Sequence, residues 1–312
     1  MPPLPPVELM LDVGLYALLI PFAVATGVGL FCGRVLPQIG RNAGGLLAVS
    51  TGFLAANYFR QVVEFRLDPE HAWSLVEFCQ RAGNALSGAT QPGGPPARFW
   101  LTWSVLAVAI GGLIVQHRRP PGLVAWSIRV AVVLIATLLL VPAGLRSEAP
   151  WLWPALAVVL LANWQIVEST SINAPTPWQA AISATLFLAS SAVLIHAHSA
   201  RFSDIATIQA GCWLGIVLVE SWQGKQLGGA IPFTTVGLPG LILIAQQSTY
   251  SDVPLAAFVV LGVAPLALVP LLRYPQALRP SWKYALLGWS LVSIPALVAV
   301  VLALRYETLS FE

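Results

Sequence analysis

The sequence predicts an all-α, polytopic membrane protein with about ten transmembrane helices. Its composition is the first observation behind this prediction: of 312 residues, 57% are hydrophobic and 9% are charged, with a mean hydropathy of +0.77. Soluble domains carry roughly 25% charged residues and could not cover so much apolar surface. A bilayer accepts apolar side chains on every face, provided that backbone polar groups are hydrogen-bonded within the segment, as in a helix.

The length and uniformity of the apolar runs are the second observation. A helix needs about 20 apolar residues to cross the hydrocarbon core. Stretches such as LVAWSIRVAVVLIATLLLV are apolar on nearly every face, whereas the strands of a β-barrel would alternate apolar and polar residues. The predicted spans are residues 11–33, 42–59, 99–116, 123–142, 151–168, 178–197, 205–222, 230–247, 253–272 and 284–304.

Two of these spans are weaker than the others. Span two contains glycine and serine, and span eight contains Pro232, Gly237, Pro239 and Gly240. If either fails to cross, the count falls to nine and one terminus changes side.

The positions of Lys and Arg predict the orientation, because short cytoplasmic loops carry an excess of them. With ten spans and the N-terminus outside, eight lie in short inner loops: Arg34, Arg41, Arg118, Arg119, Lys225, Arg273, Arg279 and Lys283. The short outer segments carry Arg146, Arg201 and Arg305. We therefore expect both termini outside, in a bacterial cytoplasmic membrane as the Arg- and Ala/Leu-rich usage suggests.

Residues 1–312 are expected to form a single integral membrane domain with one long extramembrane loop, residues 60–98. Within this loop the sequence predicts a short amphipathic helix at residues 69–82, because Asp68 and Pro69 suit a helix start, apolar residues recur at helical spacing, and Gly83 suits a helix end. The helix either lies on the bilayer surface or acts as a lid over a cavity.

Ionisable residues within spans are functional candidates, because exposing them to lipid costs free energy. Arg129 lies inside span four, and two interpretations are open: its side chain reaches to the headgroups, or it forms an ion pair inside the bundle. Glu168 in span five and Glu220 in span seven fall at the same predicted inner face and are the possible partners.

Several neutral polar residues also lie within spans. Gln209, Trp213 and Glu220 share one face of span seven, which is expected to point into the bundle. On span five, Asn163 and Gln165 diverge by about 200° and must point to different neighbours.

The stretch GKQLGGAIPFTTVGLPGLILI, which includes Thr234 and Thr235, is the best candidate for an irregular or broken helix. Interrupted spans bind substrates in many transporters, although Gly and Pro are also common in ordinary membrane helices.

No cofactor or metal site is predicted. His196 and His198 diverge by about 200° on a helix and have no carboxylate cluster nearby, and Cys32, Cys79 and Cys212 are far apart in sequence. Nucleotide-binding, zinc-protease and serine-hydrolase motifs are missing from the sequence. The small net charge of +3 gives no reason to expect nucleic acid as a partner.

Three functions remain open from the sequence. The protein is a scaffold or assembly subunit for other membrane proteins, a secondary-transporter-like protein with a midplane site for a small molecule between spans five, seven and eight, or an enzyme acting on lipid-linked substrates. The enzyme is the least favoured of the three. The lipid bilayer is the one partner that all three share.

Overall fold

The computed structural model describes residues 14–67, 108–114, 122–141, 149–171, 174–247, 253–273 and 281–309. In these ranges the chain is helical apart from short connections and contains no strand, so the predicted all-α class is confirmed. The predicted amphipathic helix at 69–82 lies outside these ranges.

Each predicted span contains a helix in the described ranges. The helices are α1 (Leu15–Arg34), α2 (Gly45–Leu67), α3 (108–114), α4 (Gly122–Leu140), α5 (Leu152–Ser171), α6 (Trp178–His196), α7 (Ala200–Gln223), α8 (231–247), α9 (Leu255–Arg273) and α10 (Trp282–Leu309). Helix α2 continues to Leu67, past the predicted end at residue 59, so the first residues assigned to the long loop are helical.

Among the described residues, six helices are long and apolar enough to cross a membrane: α1, α5, α6, α7, α9 and α10. The apolar parts of α2, α4 and α8 are shorter, at Gly45–Phe59, Gly122–Leu138 and Phe233–Gln247. Helices α2 and α8 correspond to the two weaker spans of the sequence. Six such helices indicate an integral membrane protein, whereas the count of ten spans stays a prediction.

Helices α6 and α7 form the centre of the bundle. In α7, 67% of the most apolar stretch is buried, against 22% in α10, which lies at the periphery. Gly211 and Gly215 let α7 approach α1 closely, since a Cβ at Gly211 would lie 2.8 Å from the Leu18 carbonyl oxygen and one at Gly215 would lie 2.7 Å from that of Phe22. Small residues allow such close packing of helix backbones in membranes.

The irregularity predicted for span eight is present as a π-helical segment, Phe233–Gly237, inside a helix that is continuous from 231 to 247. The helix is therefore irregular but not broken. Helix α1 also begins with a π-helical segment, Leu15–Leu19, and α9 changes to a 3₁₀ helix over Ala264–Arg273. Single π-helical turns are common at functional sites, but here they are not confined to α8.

Candidate functional site

A pocket of about 420 Å³, lined by both polar and apolar groups, lies at the end of the bundle where α5 ends and α6 begins. A short helical bend before α2, formed by Pro37–Ile39 and the π-helical segment Gly40–Gly44, contributes to it. The helices α3 to α6, the α7–α8 connection and the start of α8 contribute the rest. Its lining residues are Arg41, Gly112, Arg129, Trp164, Glu168, Ser171, Gln179, Gln226, Leu227, Gly228, Gly229, Ile231 and Pro232. The volume is within the range of roughly 300–1,000 Å³ that is typical of small-molecule sites.

Arg129 on α4 forms an ion pair with Glu168 on α5. Its Nη2 lies 2.7 Å from Glu168 Oε2 and donates a hydrogen bond of 2.8 Å to Oε1, while Nη1 donates one of 3.1 Å to Gln165 Oε1. Gln165 and Glu168 are three residues apart, which places both on the face of α5 that meets α4. The structure thus shows the ion pair rather than a side chain extended to the headgroups, and the partner is Glu168, not Glu220.

Two tryptophans hold the Arg129 guanidinium further. Its central carbon lies 5.8 Å from the ring centroid of Trp126 and 5.7 Å from that of Trp164, within the range of a cation–π interaction. The Arg129 side chain is only 13% exposed. Because it has an anion, an amide and two aromatic rings around it, Arg129 forms a fixed part of the pocket wall.

Glu220 does not line the pocket but fixes the backbone of a residue that does. Its side chain is buried, and Oε1 accepts a hydrogen bond of 2.7 Å from the backbone N–H of Leu227, which lines the pocket. Gly224 ends α7 in the left-handed conformation, with φ of 64°, and so turns the chain back towards Glu220. Glu220 Oε2 is buried without a hydrogen-bond partner in the described part of the chain.

Backbone hydrogen bonds fix the other side of the α7–α8 connection. Gly228 N–H donates to the Gly40 carbonyl at 3.2 Å, and Gly45 N–H donates to the Gly228 carbonyl at 2.9 Å. Gln226 Nε2 donates to the Ser171 and Ala174 carbonyls at 3.3 and 3.4 Å. The connection is therefore tied both to the bend before α2 and to the end of α5.

The other predicted site residues lie deeper in the bundle and do not line the pocket. Gln209, Trp213 and Glu220 are all buried, in agreement with the polar face predicted on α7. Thr234 donates to Ser183 Oγ at 2.7 Å, and Thr235 donates to the Ile231 carbonyl at 3.2 Å. The structure therefore brings together Arg129, Gln165 and Glu168, joins Glu220 to the pocket only through Leu227, and leaves Gln209, Thr234 and Thr235 apart.

The location of the pocket differs from the predicted midplane site. Helices α5 and α8 contribute to it, but α7 contributes only through the connection that follows it, and α4 takes a larger part than expected. The predicted divergence on α5 is present, because Asn163 Nδ2 donates to the Gly262 carbonyl on α9 at 3.2 Å whereas Gln165 meets Arg129 on α4.

Of the lining residues, the sequence pattern predicts only Arg129 and Glu168 as site residues. Arg41, Gln179 and Gln226 are among those that it does not predict. These three lie in or next to connections between helices, and a single sequence does not show which connections meet.

Within the described ranges, no three His, Cys, Asp or Glu side chains come together as a metal site would require. No protein-family model, curated protein or solved structure matches this chain. A function can therefore be argued only from the geometry of the pocket.

Proposed function

We propose that the protein is a ten-span, secondary-transporter-like membrane protein that binds a small polar solute in the pocket. The observation that carries the proposal is the pocket itself: a space of about 420 Å³ whose polar lining comes from elements far apart in sequence. Solute sites of transporters are built in this way, between helices and next to irregular backbone.

The predicted topology supports a pocket that opens to the inner side. Arg41, Gln179 and Gln226 lie in or beside the α1–α2, α5–α6 and α7–α8 connections, and the topology puts all three connections on the inner face. In a bundle of helices that run alternately up and down, every second connection lies at the same end of the bundle. The pocket is thus a vestibule on the cytoplasmic side of a protein with both termini outside.

A row of buried polar groups lies on α7, whose last turn is hydrogen-bonded to the pocket residue Leu227. Glu220 Oε2, Trp213 Nε1 and Gln209 Oε1 lie on one face of α7, and each is buried without a hydrogen-bond partner among the described residues. Gln209 and Glu220 are eleven residues apart, which corresponds to about 16 Å along a helix. Unsatisfied polar groups are costly inside a membrane protein, and a hydrogen bond to a passing solute or to water would offset that cost.

A scaffold or assembly subunit requires a surface for partners but no such pocket, so the pocket favours a transporter over a scaffold. An enzyme acting on lipid-linked substrates would place acid and base groups in the site. In the described lining the single carboxylate, Glu168, is already paired with Arg129.

Uptake into liposomes tests the proposal. The purified protein is reconstituted, and the entry of radiolabelled phosphate, acetate, glutamate, glucose and choline is measured against protein-free liposomes. We expect entry of at least one solute, and a loss of about tenfold or more in Gln179→Trp, which fills the pocket.

Gln247→Trp is the matched control, because Gln247 is exposed at the opposite end of α8. This variant should transport as the wild type does. If none of the five solutes enters above the protein-free level, or if Gln179→Trp transports as well as the wild type, the transporter proposal is wrong and the scaffold is favoured.

A further inference from the structure

Two arginines and one glutamate line the described part of the pocket, and only one of the arginines is paired with the glutamate. Arg129 is matched by Glu168 at 2.7 Å. Arg41, in the bend before α2, is exposed and has no acidic partner among the described residues. The described lining therefore carries one uncompensated positive charge.

The neutral lining next to Arg41 can hydrogen-bond a ligand. Gln179 at the start of α6 makes no side-chain hydrogen bond within the described ranges, so its amide is available. The Ser171 hydroxyl donates to the Glu168 carbonyl at 2.9 Å, and Gln226 Nε2 faces two carbonyls. Gln179 is thus a neutral side chain of the same lining that is free to donate to a ligand.

The start of α8 adds to the positive potential. Gly228, Gly229 and Ile231 line the pocket immediately before the helix. Pro232 has no N–H group, and the N–H of Phe233 donates to the Ala230 carbonyl at 3.0 Å, so this end contributes the positive end of the helix dipole and not a row of free N–H groups. Gly229 has φ of 84°, a conformation that favours glycine and leaves the backbone without a side chain at the pocket wall.

We propose that the ligand of the pocket carries an anionic oxygen group, a phosphate or a carboxylate, and that Arg41 is the residue that binds it. Arg129 and Glu168 then form a neutral wall and Gln179 a neutral donor. This inference rests on the proposed solute site and names its ligand class. The group comes either from a free small anion or from the headgroup of an anionic lipid, and both sources present the same chemistry to Arg41.

Thermal unfolding in nanodiscs distinguishes these sources. The 12 tryptophans supply the fluorescence signal. In one arm, sodium phosphate and sodium acetate are titrated into protein in phosphatidylcholine nanodiscs, with sodium chloride at equal ionic strength as the control for screening. In the other arm, phosphatidylglycerol is added to the nanodiscs without soluble anion.

If the ligand is a free anion, phosphate or acetate raises Tm saturably in the wild type, and Arg41→Gln weakens the apparent affinity about tenfold or more, because a charge-assisted hydrogen bond is lost. If it is a headgroup, phosphatidylglycerol raises Tm in the wild type but not in Arg41→Gln. Arg41→Lys should keep part of either effect. Arg273→Gln is the matched control, because Arg273 is an exposed arginine outside the pocket, and it should behave as the wild type.

The inference is overturned if neither soluble anion nor phosphatidylglycerol raises Tm above the chloride control, or if Arg41→Gln responds as strongly as the wild type. Its failure is separable from that of the transporter proposal. If glucose or choline is taken up and Tm does not respond to anions, the transporter proposal is supported and the anionic ligand is contradicted. If anions bind in a way that depends on Arg41 but no solute is taken up, the anion site is supported and the transporter proposal is contradicted.

Discussion

Glu220 and Leu227 are joined by a hydrogen bond of 2.7 Å from the backbone N–H of Leu227 to the Glu220 carboxylate. A buried side chain in the last turn of α7 thereby holds the connection that forms one wall of the pocket. The acid that the sequence marks as a possible partner of Arg129 instead positions backbone.

This bond predicts different effects for two substitutions of Glu220. Glu220→Leu leaves the buried Leu227 N–H without an acceptor and should destabilise the protein by about 1–3 kcal/mol. Glu220→Gln keeps an acceptor oxygen and should cost less. Both are measured as shifts of Tm in detergent. Equal losses in the two variants would show that the hydrogen bond does not position the connection.

The ion pair between Arg129 and Glu168 predicts energetic coupling. In a double-mutant cycle of Arg129→Ala and Glu168→Ala, we expect a coupling of about 0.5–3 kcal/mol in the free energy of unfolding, because either single change leaves a mostly buried charge unpaired. The same cycle with Arg129→Ala and Glu220→Ala is the control and should be additive within about 0.5 kcal/mol. Additive effects for Arg129 and Glu168 would contradict the pairing.

The close approach of α7 to α1 predicts opposite outcomes for two glycine substitutions. Gly215→Ala places a Cβ 2.7 Å from the Phe22 carbonyl oxygen and should destabilise the protein by about 1–3 kcal/mol. Gly27→Ala on α1 meets nothing within 4 Å, and alanine is the better helix former by about 1 kcal/mol, so this variant should be neutral or more stable. Thermal unfolding compares the two. A stable Gly215→Ala would mean that the helices are further apart.

The proposed orientation is tested by two single-cysteine variants, one before the start of α5 on the predicted outer side and one after the end of α7 on the predicted inner side. The natural Cys32, Cys79 and Cys212 are first replaced by alanine. Lys225→Cys, in the exposed connection after α7, should react with a membrane-impermeant thiol reagent only in inside-out vesicles. Trp151→Cys, 67% exposed before α5, should react only in right-side-out vesicles. The reversed pattern would invert the topology, and labelling of both from one side would change the number of spans.

The sequence predicts the helices well because apolar runs of about 20 residues have few alternatives to a membrane helix. It also predicts the buried face of α7, since Gln209, Trp213 and Glu220 fall on one side by periodicity alone. The weaker spans, α2 and α8, are among the helices whose apolar parts are shorter in the structure, but so is α4, whose shorter apolar part the sequence pattern does not predict.

The pocket is less predictable for a physical reason. The partner of Arg129 depends on which helices are neighbours, and Glu168 and Glu220 fall at the same predicted depth. Only packing distinguishes them, and it places α5 beside α4. Arg41 and Gln179 likewise enter the site through connections, whose positions follow from the arrangement of the whole bundle and not from the local pattern.

The hydrogen bonds of Gly228 to Gly40 and Gly45 have a mechanical consequence. Since Glu220 is bonded to the same connection from α7, the pocket wall, the bend before α2 and the end of α7 are joined by hydrogen bonds. A ligand that pulled this wall inward would have to tilt the α1–α2 hairpin with it or break those backbone bonds. Movement at Gly228 is thereby coupled to α1 and α2.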